Sequence, residues 1–67
     1  MTFEDFTVII AVPAKYQRRG QRLMNELFKV RQDLYEFIAG TDYDCFYDDS
    51  RTDDTLVFLS ENWYSEE

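Results

Sequence analysis

The sequence predicts a small α+β domain of order β-α-β-β, with one long helix packed on one face of a three-stranded antiparallel sheet. Three observations lead there. Two runs are rich in β-branched and aromatic residues, one long stretch carries a helical period, and a polar loop separates the last two apolar runs. The chain has 67 residues, so it is expected to form a single domain over residues 1–67.

Residues 3–12, FEDFTVIIAV, read as the first strand. Val8, Ile9 and Ile10 are β-branched, which suits a pleated surface. The run is apolar at every position from Val8 to Val12 and stops at Pro13, the pattern of a strand covered on both faces. Residues 13–20 read as a connection or a frayed helix start, in which Gly20 weakens helix.

From residue 21 to residue 39 the pattern is helical. Leu23, Leu27, Val30, Leu34 and Phe37 recur at steps of four and three, and Met24, Phe28, Tyr35 and Ile38 widen the apolar face. Gly40 follows the last periodic residue, where a C′ glycine belongs. Residues 41–47 read as the second strand and residues 55–60 as the third, with the loop DDSRTDD at residues 48–54 making them a hairpin. Strands one and three are the most apolar, which places strand three in the middle and gives the order 1-3-2. The helix then covers one sheet face. The other needs a cover: Trp63 and Tyr64, a second copy of the chain, or another protein. A homodimer formed through the sheet is one expected solution.

Charge is segregated along the chain. The net charge is −7. Residues 15–31 hold six bases against Glu26, and residues 32–67 hold eleven acids against Arg51. Such a chain repels nucleic acid and anionic membranes as a whole. The apolar run near the start, residues 7–12, is short and follows Glu4 and Asp5, so neither a signal peptide nor a membrane span is expected, and the cytoplasm is the expected compartment.

Chemistry is sparse. The chain has no histidine and one cysteine, which excludes a disulfide within the chain and the usual zinc sites. Its two glycines, Gly20 and Gly40, make no phosphate-binding loop. The aspartates of residues 48–59 miss the EF-hand spacing: the third and fifth positions counted from Asp48 are Ser50 and Thr52, and the twelfth is Leu59. Cys45 has no histidine to activate it and reads as a small core residue. No catalytic residue, cofactor or metal is expected.

The residues that invite a functional reading are Asp42, Asp44, Asp48, Asp49, Asp53 and Asp54, with Tyr43, Tyr47 and Trp63 as apolar anchors. Carboxylates at suitable spacing engage the same Arg and Lys side chains that hold phosphates. The plainer reading is that Asp favours turns and keeps a small domain soluble. The basic segment KYQRRGQR at residues 15–22 has two readings as well: contact with nucleic-acid phosphate, or pairing with the chain's own acidic segment. Trp63 and Tyr64 suit either an interface or the closing of a small core.

In size, charge and composition the chain resembles the small acidic proteins that bacteriophages encode to disable host enzymes and defence systems. Those proteins are short, free of disulfides and often mimics of DNA. No motif carries the likeness, so no functional residue is transferred through it. The expectation is an inhibitory binding protein that occupies the basic cleft of a host nucleic-acid-handling protein, such as a CRISPR effector, nuclease or polymerase. It would contact no nucleic acid or membrane itself. The alternative is a homodimeric structural or antitoxin-like module.

Overall fold

The computed structural model describes residues 1–12 and 15–64. These residues fold as four helices and one 3₁₀ turn: α1 at Phe3–Ala11, α2 at Arg19–Val30, α3 at Gln32–Ile38, the 3₁₀ turn at Asp49–Arg51 and α4 at Thr52–Asn62. No strand occurs among the described residues, so the predicted α+β class, its three strands, its hairpin and the 1-3-2 sheet are all overturned. The argument for a dimer through an uncovered sheet face falls with them.

The first helix starts on a local signal that outweighs β-branched propensity. Thr2 is the N-cap of α1: its Oγ1 accepts from the Asp5 amide at 3.1 Å, and Asp5 Oδ2 accepts from the Thr2 amide at 3.4 Å. This reciprocal capping box satisfies two otherwise orphaned donors. Glu4 and Asp5 also complement the positive end of the helix dipole. Phe6 and Ile10, one turn apart, face the core. Val8 and Val12 are 66% and 56% exposed, so the continuous apolar run does not signal burial on both faces.

The single long helix expected over residues 21–39 is two helices that meet at Arg31. Arg31 lies at φ −142°, ψ 69°, outside the helical region, while its amide closes α2 on the Leu27 carbonyl and its own carbonyl accepts from the Tyr35 amide. Leu23, Met24 and Leu27 from α2, then Leu34 and Ile38 from α3, all reach the core. Phe37, assigned to the same apolar stripe by its spacing, points out and is 68% exposed. Beyond Ala39, Gly40 takes φ +82°, the left-handed turn that a C′ glycine serves.

Residues 41–47 form successive turns rather than a strand. The Thr41 amide donates to the Ile38 carbonyl, Asp44 to Thr41 and Asp48 to Cys45. The run at residues 55–60 lies inside α4, whose buried residues are Thr52, Thr55 and Leu59, followed by Trp63. Positions 52, 55, 59 and 63 share one helix face, but two of them are threonines, which hides the helical period from a count of apolar residues. The Thr55 hydroxyl donates to the Tyr43 carbonyl at 2.6 Å, fastening α4 to the turns.

α2 is the hub, packing against α1, α3, α4 and the 3₁₀ turn. One point of approach is especially close. A Cβ at Gly20 would overlap the Cys45 carbonyl oxygen, so only glycine admits the turns this near to α2. The Cys45 thiol meets the Gly20 carbonyl at 3.5 Å, and the Gly20 amide donates to Asp49 Oδ1 at 3.1 Å.

The two ends of the described chain are fastened together. The Trp63 indole N–H donates to the Met1 carbonyl at 3.1 Å. The Tyr64 hydroxyl accepts from the Phe3 amide at 3.1 Å and donates to Glu4 at 3.1 Å. Trp63 packs against the rings of Phe3 and Phe6 and lies under the Arg31 guanidinium, whose Nη1 donates to the Trp63 carbonyl at 2.6 Å. The expected tail at residues 61–67 is thus helix end and turn as far as Tyr64. Residues 65–67, like Pro13 and Ala14 of the expected connection, lie outside the described residues.

Candidate acidic aromatic face

The six aspartates singled out in the sequence divide into two groups. Three are occupied by backbone amides. Asp44 accepts from the Gly40 amide at 2.9 Å and from the Phe46 amide at 3.0 Å. Asp48 caps the 3₁₀ turn by accepting from the Ser50 amide at 3.0 Å. Asp49 accepts from the Gly20 amide and lies 3.6 Å from Arg18 Nε. These carboxylates shape the turns, as aspartates in turns commonly do, and they do not form a free array. Asp53 pairs with Arg19 at 3.3 Å on the surface. Asp42 and Asp54 remain.

The Ser50 hydroxyl and amide, and then the Arg51 charge, hold the Asp48 carboxyl below the ordinary carboxylate range. A carboxyl depressed in the folded state favours folding above its unfolded value, about 4. That contribution is lost as pH falls through the depressed folded value. Asp48→Asn is therefore expected to show a smaller fall in urea midpoint than the native chain between about pH 5 and about pH 2.

The basic segment folds against the chain's own acids. Arg18 also donates to the Phe46 carbonyl at 2.9 Å, and Arg22 donates to the Ile9 carbonyl at 3.2 Å and lies 3.6 Å from Glu26. Among the described residues six of the seven bases form an ion pair within the chain, Lys15 being the exception. Each of these six charges is thus offset by a neighbouring carboxylate of the same chain.

Carboxylates without any partner among the described residues are concentrated. Among the described residues the carboxylates of Glu36, Asp42, Asp54 and Glu61 have neither an ion pair nor a hydrogen bond. Three of them line one open depression of about 350 Å³, together with Tyr43, Val57 and Phe58. Rings floor it. Tyr43 stacks on Phe58 with centroids 4.5 Å apart and planes at 27°, and Phe37 stacks beyond Phe58 at 5.8 Å and 19°. Tyr43 is 40% exposed and Val57 58%. With Phe37 they make a connected apolar surface edged by carboxylates.

The sequence-predicted site residues therefore do not form one surface. Asp42, Tyr43 and Asp54 meet at the depression. Tyr47 is exposed elsewhere, against Phe46 at 4.7 Å. Trp63, expected as an anchor for a partner, is 3% exposed and belongs to the core. Phe37, Val57, Phe58 and Glu61 were missed, because each lay within an element expected to turn it inward or within the tail. In α4 the spacing 54, 57, 58, 61 would have found Val57, Phe58 and Glu61, had that segment been read as a helix.

Cys45 is fully buried. Burial pushes its thiol up, away from the reactive thiolate, and the hydroxyls of Thr55 and Thr52 beside it pull the other way. No cluster of three or more His, Cys, Asp or Glu able to hold a metal occurs among the described residues, and no helix there is long and apolar enough to cross a membrane. No protein family, curated protein or solved structure matches the chain.

Proposed function

We propose that the chain is a non-catalytic binding protein that sets its acidic aromatic face against a basic, nucleic-acid-handling surface of another protein and excludes nucleic acid by occupancy. The observation that carries this reading is the coincidence of three carboxylates without internal partners and an exposed ring stack. Solvent-exposed rings supply apolar area for a centre of contact, and unpaired charge supplies complementarity and steering. The likeness in size and charge to phage-encoded inhibitors supports competition without turnover.

The test joins capture and competition. Proteins retained from a bacterial lysate by the immobilised chain are identified, then rechallenged with the triple variant Asp42→Asn, Asp54→Asn, Glu61→Gln and with excess duplex DNA. The expected partner binds the triple variant at least about tenfold more weakly, a difference of about 1.4 kcal/mol. It is displaced by DNA, releases as salt rises and is inhibited to an endpoint set by the molar ratio. The variant should fold as before, within about 0.5 kcal/mol, because the three carboxylates have no internal partners to lose. Partners that hold the variant equally well and ignore DNA would sink the reading, as would one copy inactivating many targets.

A further inference from the structure

We propose that the group this face receives from its partner is an arginine side chain, in preference to lysine. The proposal rests on the docking reading above and names the chemistry of its occupant. On α4, Asp54, Val57, Phe58 and Glu61 follow one stripe at steps of three, one and three. At 1.5 Å per residue the stripe is about 10 Å long, with a carboxylate at each end and apolar atoms between. Asp42 and Tyr43, from the turns, add a third carboxylate and a ring stacked on Phe58.

A guanidinium satisfies both features at once. It is planar and weakly hydrated, so it lies flat on a ring face while its N–H edges donate in the plane to flanking carboxylates. An ammonium is a compact, strongly hydrated point charge, and it must shed water to sit on a ring. The chain already contains this arrangement at its own surface, where Asp33 is exposed and Arg31 partly so. The Arg31 guanidinium lies 5.0 Å from the centre of the Trp63 ring and donates to both oxygens of Asp33, each at 3.0 Å. The surface depression offers rings and carboxylates of the same kind, without an arginine from the chain to fill them.

The experiment titrates the isotope-labelled full chain with two nine-residue peptides that are identical except that one carries arginine where the other carries lysine. Affinity is read from amide shifts at Asp42, Tyr43 and residues 54–61. The arginine peptide is expected to bind about five- to tenfold more tightly. Tyr43→Leu should bring that ratio close to one while leaving the lysine peptide nearly unaffected, and Asp54→Asn with Glu61→Gln should weaken both peptides. Should Tyr43→Leu unfold, ring-current shifts of the arginine side-chain protons in the native complex carry the same test, since Tyr43 and Phe58 are the rings that line the depression, and side-chain protons left unshifted would overturn the preference. Equal affinities with shifts on this face would overturn the preference for arginine and leave the docking reading standing. A ratio that survives loss of the ring would also overturn it. Absence of shifts on this face with either peptide would overturn both.

Discussion

Trp63→Ala is expected to lower the unfolding free energy by about 3–5 kcal/mol, the usual cost of removing a buried aromatic side chain. The whole stability of a 67-residue domain is of order 3–10 kcal/mol, so the variant should be largely unfolded or molten at 37 °C. The loss has several parts. The ring leaves a cavity against Phe3 and Phe6, its N–H no longer holds the Met1 carbonyl, and the Arg31 guanidinium loses the surface it lies on. Trp63→Phe retains most of the packing but not the indole N–H, and should cost only about 1–2 kcal/mol beyond any repacking. Urea unfolding followed by circular dichroism separates the two. A cooperative transition of Trp63→Ala within 1 kcal/mol of the native chain (a margin of about 5 °C in Tm) would show that the ring does not close the core.

Gly20→Ala is the second large effect, and it runs against helix propensity. In an exposed helix the change stabilises by up to about 1 kcal/mol. Here the new methyl overlaps the Cys45 carbonyl, a backbone atom that cannot rotate aside. Either α2 or the turns must shift, at the 1–3 kcal/mol typical of overpacking. The shift also loosens the bonds of the Gly20 amide to Asp49 and of the Cys45 thiol to the Gly20 carbonyl. A fall of about 4–24 °C in Tm is expected, since each kcal/mol moves a domain of this size by about 4–8 °C. Thermal unfolding by calorimetry measures it, and a Tm equal to or above the native value would show that the approach of the turns to α2 is not tight. Asp49→Ala, which keeps the glycine and removes only the side-chain acceptor, should fall between the two.

Much of the central helical region was legible. The apolar steps from Leu23 to Leu34 and the glycine at position 40 lie where the structure uses them. Arg31 was not legible as a break, because its cause is distant: the side chain reaches the Trp63 carbonyl and ring, 32 residues away in sequence. The ends were misread for two reasons. At the start, Val8, Ile9 and Ile10 pointed to a strand and the Thr2 and Asp5 cap was not considered, while in the fold the cap and the packing of Phe6 and Ile10 outweigh β-branched propensity. Near the end, Thr52 and Thr55 stand at core positions, so α4 presented a short apolar block instead of a period. The errors then spread to the site. A strand through residues 55–60 separates Val57 from Phe58 onto opposite faces. A helix places both beside Asp54 and Glu61, and the carboxylates that matter become those without internal partners rather than those most crowded in sequence.

The joining of the two ends has a further consequence. Hydrogen bonds spanning 60 to 62 residues tie Met1, Phe3 and Glu4 to Trp63 and Tyr64. In a disordered chain such a meeting is opposed by the entropy of closing nearly the longest loop the molecule has. The packing of α2, α3 and α4 offsets that cost by holding the two segments close and raising their effective concentration. The clasp is therefore a product of the rest of the fold and gives back to it, so that Trp63 has a dry place only when α1 is present and α1 a second wall only when Trp63 is. Neither residues 1–4 nor Trp63 and Tyr64 can be trimmed without breaking these bonds. The first turn of the chain and its last described turn stand or melt as one unit, although they are made farthest apart.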